Sequence, residues 1–266
     1  MNNTEAILSH LFKGTPSFIS NINCYNRNSI SVYSIHGKKI LFKKFNKKEF
    51  IQREKFFYKF LKNSCKIPKI YSEGEDFIIT EFIESCKPNL IQAVRDWAKI
   101  HSNFLENEIL ENPLMFKHKS RNLSDYILNY QKMFGKSAEK IKDFLSSKER
   151  EKNYSTLIHG DLFGRNILTK NGENYYIDFE FSGSGHPVKD LSLLLLNNPN
   201  MKEEIIKIYR KNISFDYEKI EEDIKKELLN KGTQLILGLG NLKMSLEGKK
   251  KIHKKFLGVM ENYLEK

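Results

Sequence analysis

Leu157-Ile158-His159-Gly160-Asp161-Leu162-Phe163-Gly164-Arg165-Asn166-Ile167-Leu168 is the stretch that decides the reading of this chain. After a turn at 170–174 it continues as Tyr175-Tyr176-Ile177-Asp178-Phe179-Glu180. Apolar pairs (Leu157-Ile158, Ile167-Leu168, Tyr176-Ile177) read as short buried strands. Between and after them stand Asp161 on a loop, Asn166 at the end of that loop, and Asp178 at the end of the next strand. A glycine-containing hairpin turn brings Asn166 and Asp178 near each other. A hard divalent cation such as Mg²⁺ takes oxygen ligands, commonly one or two carboxylates completed by phosphates and water. Asn166 and Asp178 are that kind of donor set, and Asp161 stays available to orient a hydroxyl and accept its proton. This division of labour suits phosphoryl transfer, where positioning and charge neutralisation supply most of the rate. The bland alternative is that Asp161 and Asn166 only form an Asx turn. The flanking strands and the second strand ending in Asp-Phe argue against it.

These residues resemble the signature of the aminoglycoside phosphotransferase and choline kinase family, the small-molecule branch of the protein-kinase-like fold. The resemblance runs from about residue 28 to 210 and is most specific over 154–191. It implies an α+β, bilobal protein-kinase-like fold: a small antiparallel-sheet N-lobe with one helix over 1–83, and a larger, mostly helical C-lobe over 84–266. It also implies a phosphotransferase that moves the γ-phosphate of ATP (with GTP left open) to a hydroxyl of a small molecule, with Mg²⁺ as cofactor. By the same resemblance Asp161 is the catalytic base and Asn166 and Asp178 are the metal ligands. His159 braces the loop by hydrogen bonds. Glu180 stands where protein kinases carry the glycine of Asp-Phe-Gly. Gly185-His186-Pro187-Val188-Lys189-Asp190-Leu191 resembles the family's Gly-x-Pro-x-x-Asp-Leu segment, and Asp190 is expected to cap the helix at 191–196 and to hold the catalytic loop.

The N-terminal half can be read independently. An ATP-binding lobe needs a strand lysine for the phosphates, paired with a helix glutamate. Residues 30–35 and 40–45 read as strands joined by the turn His36-Gly37-Lys38-Lys39. Successive strand residues face opposite sides, so Lys43 and Lys44 are alternatives. Lys43 shares its face with Leu41 and is chosen, with Lys44 as runner-up. In the helix expected over 48–62, Phe50, Glu54, Phe57 and Leu61 recur at spacings of 4, 3 and 4, which puts Glu54 on the apolar face. An inward carboxylate needs a partner, and Lys43 is the natural one. Residues 77–83 read as the last strand before the hinge, with backbone at Glu81 and Ile83 holding adenine. The turn at 23–28 contains no glycine, so Asn28 and Ser29 take the place of a glycine-rich phosphate loop.

Beyond residue 83 the texture is mostly helical, with helices expected at about 122–134, 137–147, 201–211, 217–230, 232–247 and 249–264. His101 reads as a core or loop-bracing residue, and Trp97 as core. The family resemblance implies an acceptor pocket built from about 102–150 and 201–250.

Composition bounds the rest. The chain has 266 residues, with 45 Lys+Arg against 33 Asp+Glu and a formal net charge of +12. Its 39% hydrophobic and 12% aromatic content is too core-rich for a disordered chain. No apolar run approaches the ~18–20 residues that span a bilayer. Residues 1–10 carry no basic region followed by an apolar stretch, so no signal peptide is expected. Cys24, Cys65 and Cys86 make neither a disulfide framework nor a zinc pattern. A cytoplasmic protein is expected, with a nucleotide and a small-molecule acceptor as partners and no nucleic acid. Two other classes remain. A protein serine/threonine kinase is disfavoured by the missing glycine-rich loop and by Asp178-Phe179-Glu180. A basic nucleic-acid-binding protein on a kinase-like relic would show salt-sensitive nucleic-acid binding without nucleotide binding. The run Lys249-Lys250-Lys251 reads as a wet helix face.

Overall fold

The computed structural model describes residues 3–22, 28–84, 87–117 and 154–238, with isolated positions at 247, 254 and 258. The helices expected at 122–134 and 137–147, most of the one expected at 249–264, residues 118–150 and most of 239–250 of the expected acceptor region, and the lysine run at 249–251 lie outside the described residues.

Contacts divide the chain into two compact units, one of Met1–Asn89 with Arg165–Ser182 and the other of Leu90–Gly164 with Gly183–Lys266. The first unit is built on a five-stranded antiparallel sheet in the order β1-β2-β3-β5-β4. Its strands are β1 (Ser17–Ile22), β2 (Asn28–Ile35), β3 (Lys38–Phe45), β4 (Ile70–Glu73) and β5 (Phe77–Glu81). The alternation along Ile40-Leu41-Phe42-Lys43-Lys44-Phe45 sorts β3 between two faces. Ile40 and Phe42 join Tyr33, Ile35 and Ile79 in a core cluster against Leu8 of helix α1 (Asn3–Phe12). Lys43 and Phe45 share the other face, with the Lys43 ammonium 4.7 Å from the Phe45 ring centroid. Helix α2 (Lys48–Leu61) buries Ile51, Glu54, Phe57, Tyr58 and Leu61. The N-terminal region therefore carries two helices rather than one. Strand β4 was also unexpected: it is only four residues long, and none of them is fully buried.

The hairpin of β8 (Ile167–Lys170) and β9 (Glu173–Tyr176) belongs to the same unit. Its two-residue turn, Asn171-Gly172, has positive φ at both positions, the type I′ geometry that matches strand twist. The backbone carbonyl of Asn166 accepts the Ile177 N–H at 3.2 Å, which sets Asn166 and Asp178 on either side of the hairpin's closing end.

In the second unit, α3 (Leu90–Asn103) buries Ala93, Val94, Trp97, Ala98, Ile100 and His101. It packs on β7 (Thr156–Ile158) and on α5 (Lys202–Asn212). Strand β10 (Gly183–Gly185) lies between β7 and β6 (Phe116–Lys117). A side chain at Gly183 would sit 2.1 Å from the Phe116 carbonyl oxygen, so the sheet closes there only with glycine. Helix α4 (Val188–Asn197) is buried nearly all round and packs on α6 (Ile220–Gly238). Two helices were expected over 217–247, but α6 runs unbroken past Gly232. One interior glycine costs about 1 kcal/mol, too little to end a helix that packing sustains. Among the described residues, no helix is long and apolar enough to cross a membrane.

Candidate active site

The register of β3 and the apolar stripe of α2 bring Lys43 and Glu54 together. The Lys43 ammonium donates to Glu54 Oε2 at 2.6 Å, and the two side chains are 8% and 1% exposed. The same ammonium donates to Asp178 Oδ1 at 2.6 Å. Lys44 points the other way and pairs at the surface with Asp76. Burial alone would lower the Lys43 pKa, but Glu54 and Asp178 more than offset it and hold the ammonium above the ordinary lysine value. Burial pushes the Glu54 carboxyl up to about 7; Lys43 opposes that rise, while the charges of Asp178 and Glu180 add to it. Tyr58 sits one helical turn after Glu54 and hydrogen-bonds it. Burial, then Glu54 and Asp178, push its phenol well above the usual range.

Asp178 has φ +66 and ψ +54, a left-handed conformation that costs an L-residue about 1 kcal/mol or more. Packing of the following turn holds it there. The Phe179 ring lies 6.2 Å from Phe57 and 5.5 Å from Tyr58, and Phe181 lies 5.8 Å from Phe50. Arg53 Nη1 donates to the Glu180 carbonyl at 2.5 Å. Oxygen atoms of Glu54, Asp178 and Glu180 all lie within 4.8 Å of one another. Glu54 and Asp178 flank the ammonium, Glu180 lies beside them with the Arg53 charge acting on it, and the oxygen donors gathered here are of the kind a hard cation such as Mg²⁺ takes.

Asn28 begins β2, and its amide donates to Glu180 Oε2 at 2.7 Å across 152 residues of sequence. Its Oδ1 is buried with no hydrogen-bond partner, a second acceptor suited to a cation or a ligand donor. Ser29 is the next residue of the strand and is exposed. Asn166 is 3% exposed. The Glu81 N–H is already given to the Lys69 carbonyl at 2.9 Å. Ile83 is buried just after β5.

Asp161, His159 and Asp190 lie in the second unit. Asp161 is half-buried, and its N–H points at His159 Nδ1 at 3.4 Å. Asp190 does not cap a helix. It lies inside the first turn of α4, whose cap position, Pro187, makes no side-chain hydrogen bond. Its two carboxylate oxygens instead accept the backbone N–H groups of His159 (2.8 Å) and Gly160 (2.9 Å). Burial opposes its charge, but hydrogen bonds from His101 and His159 outweigh burial and hold its pKa below the ordinary carboxylate value.

Sequence reasoning missed Glu180 as a member of the carboxylate cluster, along with Tyr58 and Arg53. The Asp-x-Glu spacing of Asp178 and Glu180 was the available signal for the first. An arginine and a tyrosine flanking Glu54 on an otherwise apolar stripe was the signal for the others.

The profile of the ecdysteroid kinase-like family (EcKL) matches residues 50–222. The "Protein LicA homolog" of Mycoplasma capricolum subsp. capricolum is 29% identical over 182 residues, 65% of this chain and 70% of that protein. Spectinomycin phosphotransferase APH(9)-Ia, solved with ADP and spectinomycin, superposes with a TM-score of 0.66 at 14% identity, covering 98% of this chain and 96% of that one. The choline kinase LicA from Streptococcus pneumoniae gives a TM-score of 0.59 at 18% identity, covering 98% of each chain. At these identities the likeness to solved structures concerns the fold, which is the protein-kinase-like α+β fold of small-molecule phosphotransferases. With the family profile matching more than half of its length, the chain belongs to the ecdysteroid kinase-like family.

Proposed function

We propose that this protein is a Mg-ATP-dependent phosphotransferase that moves the γ-phosphate to a hydroxyl of a small-molecule alcohol, with a choline-like alcohol as the first acceptor to test. The observation that carries the reading is the Lys43–Glu54–Asp178 cluster, in which two consecutive elements and a third, 135 residues beyond Lys43, hold one ammonium against two carboxylates. A purely structural pair would need only one carboxylate. The second, together with Glu180, adds oxygen donors of the kind a hard cation takes. The choline-like acceptor is suggested by the choline kinase LicA among the structural neighbours, whose name the 29% identical LicA homolog shares.

In this reading Lys43 holds the nucleotide's phosphates and Glu54 fixes its direction. Asp178 and Asn166 hold Mg²⁺, with Glu180 beside them. An ionised carboxylate offers about four lone-pair sites, so Asp178 can serve Lys43 and a cation together. Mg²⁺, when bound, neutralises charge on the phosphate oxygens. Asn28 and Ser29 line the phosphate end, and the backbone at Glu81 and Ile83 meets the adenine. Asp161 orients the acceptor hydroxyl and takes its proton. The bond from phosphorus to the β-phosphate bridging oxygen breaks as the bond to the hydroxyl oxygen forms, and ADP leaves. Asp190 fixes the loop that presents Asp161.

The test is formation of phosphocholine and ADP from choline and MgATP, run beside an aminoglycoside, thiamine and free sugars. Phosphocholine at a rate well above ATP hydrolysis is the expected result. A rate that rises with one of the others moves the acceptor assignment. ADP release unchanged by every alcohol, with salt-sensitive binding to RNA or DNA, would reject the phosphotransferase reading.

A further inference from the structure

Tyr58 lies on the inner face of α2, one turn after Glu54, and is 4% exposed. Its ring packs edge-on against Phe179, with centroids 5.5 Å apart and planes at 81°. A phenylalanine would fill that space equally well, so packing does not account for the hydroxyl. The hydroxyl joins two members of the Lys43 cluster: it hydrogen-bonds the Glu54 side chain and the Asp178 backbone. A carboxylate accepts, so the phenol gives its proton to Glu54 and receives the Asp178 N–H on an oxygen lone pair. The Lys43 ammonium closes the circuit, donating to Glu54 Oε2 and to Asp178 Oδ1, each at 2.6 Å. The bonds therefore run from Lys43 to Glu54, to Tyr58, to the Asp178 N–H, and from the Asp178 carboxylate back to Lys43.

Asp178 stands where such a hold matters. Strand β9 ends at Tyr176, so the sheet ladder does not reach it. Its neighbours are pinned, Ile177 by its N–H on the Asn166 carbonyl at 3.2 Å and Phe179 by its ring against Phe57 and Tyr58. Its own φ is +66, a conformation that L side chains rarely adopt. The Tyr58 oxygen accepts the Asp178 N–H only while the peptide before Asp178 keeps its orientation, and that orientation together with φ sets where the carboxylate points.

We propose that the Tyr58 hydroxyl is a positioning group for metal binding: by tying the Asp178 N–H to Glu54 it fixes the backbone that aims the Asp178 carboxylate at a divalent cation. The proposal rests on the assignment of Asp178 as a ligand to Mg²⁺, and it adds a residue that itself ligates neither metal nor nucleotide. Removing an outer partner that orients a metal ligand costs about 10- to 100-fold in metal affinity or activity.

The experiment measures Mn²⁺ affinity of the ADP complex by electron paramagnetic resonance. ADP affinity in the presence of a chelator and thermal unfolding are measured on the same samples. The variants are Tyr58→Phe, which keeps the ring and loses only the hydroxyl, and, as reference, Asp178→Asn, which removes the charge and keeps a residue tolerant of a left-handed backbone. Tyr58→Phe is expected to bind Mn²⁺ about 10-fold more weakly and to need about 10-fold more free Mg²⁺ for half-maximal ADP release from MgATP. Its metal-free ADP affinity is unchanged, and its melting temperature falls by no more than about 5 °C. Asp178→Asn loses more Mn²⁺ affinity than Tyr58→Phe. Amide hydrogen exchange reads the backbone directly: the Asp178 N–H is protected in the parent and exchanges about 10-fold faster or more in Tyr58→Phe. If Tyr58→Phe does not fold, the parent decides, and an Asp178 amide exchanging at the rate of an exposed one overturns the proposal. Metal-free ADP affinity falling as much as Mn²⁺ affinity means a generally loosened pocket and also overturns it. Parental Mn²⁺ affinity in folded Tyr58→Phe, with affinity lost in Asp178→Asn, overturns the Tyr58 proposal and leaves the ligand assignment standing. Parental Mn²⁺ affinity in Asp178→Asn overturns the ligand assignment and this proposal with it.

Discussion

The cluster around Lys43 and the cluster around Asp190 are both buried, yet they balance charge in different ways. At Lys43 one ammonium faces Glu54, Asp178 and the nearby Glu180, and the Asp178 side chain remains 31% exposed. At Asp190 one carboxylate is enclosed by two backbone N–H groups and an imidazole, with no exposed surface on the carboxylate or the imidazole. The first gathers oxygen donors partly open to solvent, which suits a site that exchanges partners with a ligand. The second is closed within the protein, which suits a scaffold. Both perturb pKa values, so a shifted pKa by itself does not separate chemistry from support; exposure does.

The sharpest way to break this contrast is Asp178→Ala. The change should lower MgATP turnover by about 10³-fold while changing unfolding free energy by less than about 1 kcal/mol, because Lys43 keeps Glu54 and the lost pair is partly exposed. A stable, fully active variant would show that the first cluster is scaffold too. Lys43→Met should be less selective, lowering turnover about 10²- to 10³-fold. It should also cost about 3–5 kcal/mol in denaturant unfolding, since Glu54 is left buried without its cation. Adding Glu54→Gln should return much of that stability and none of the turnover.

The second cluster should respond in stability as well as through the loop it holds. Asp190→Asn should cost about 1–3 kcal/mol near neutral pH, as buried donors lose a charged acceptor. The folded-state pKa of Asp190 is lowered, so its stabilisation is complete above the unfolded value and is lost as pH falls through the folded one. The stability gap between the parent and Asp190→Asn should therefore hold steady above about pH 5 and narrow below about pH 4. A gap that widens on acidification would mean that the carboxylate is not stabilised as an anion.

The sequence made the local parts of the site legible and left the long-range ones dark. Glu54 on the inner stripe of α2 followed from helical periodicity, and Lys43 facing inward followed from strand alternation and from its need for a partner. The hairpin that sets Asn166 beside Asp178 was visible in its apolar pairs and its glycine turn. No local pattern foretold that Asn28 would bind Glu180 across 152 residues, or that His101 would meet Asp190 across 89; such pairs are products of the fold. Strand β1 was missed for another reason: all six of its residues are exposed, so no buried face imposes the two-residue period that marks a strand. Asp190 was expected both to cap a helix, where Asp is common, and to hold the loop. It lies inside the helix, and its carboxylate goes to the loop, where the backbone of His159 and Gly160 offers two donors.

The account turns on Asp161. With the Asp161→Asn variant, ADP affinity and phosphate transfer from MgATP should be measured on the same preparation. Nucleotide affinity within about twofold of the parent, with transfer lowered about 10²- to 10⁴-fold, is the predicted result for removal of a general base. Transfer at the parent rate would contradict it.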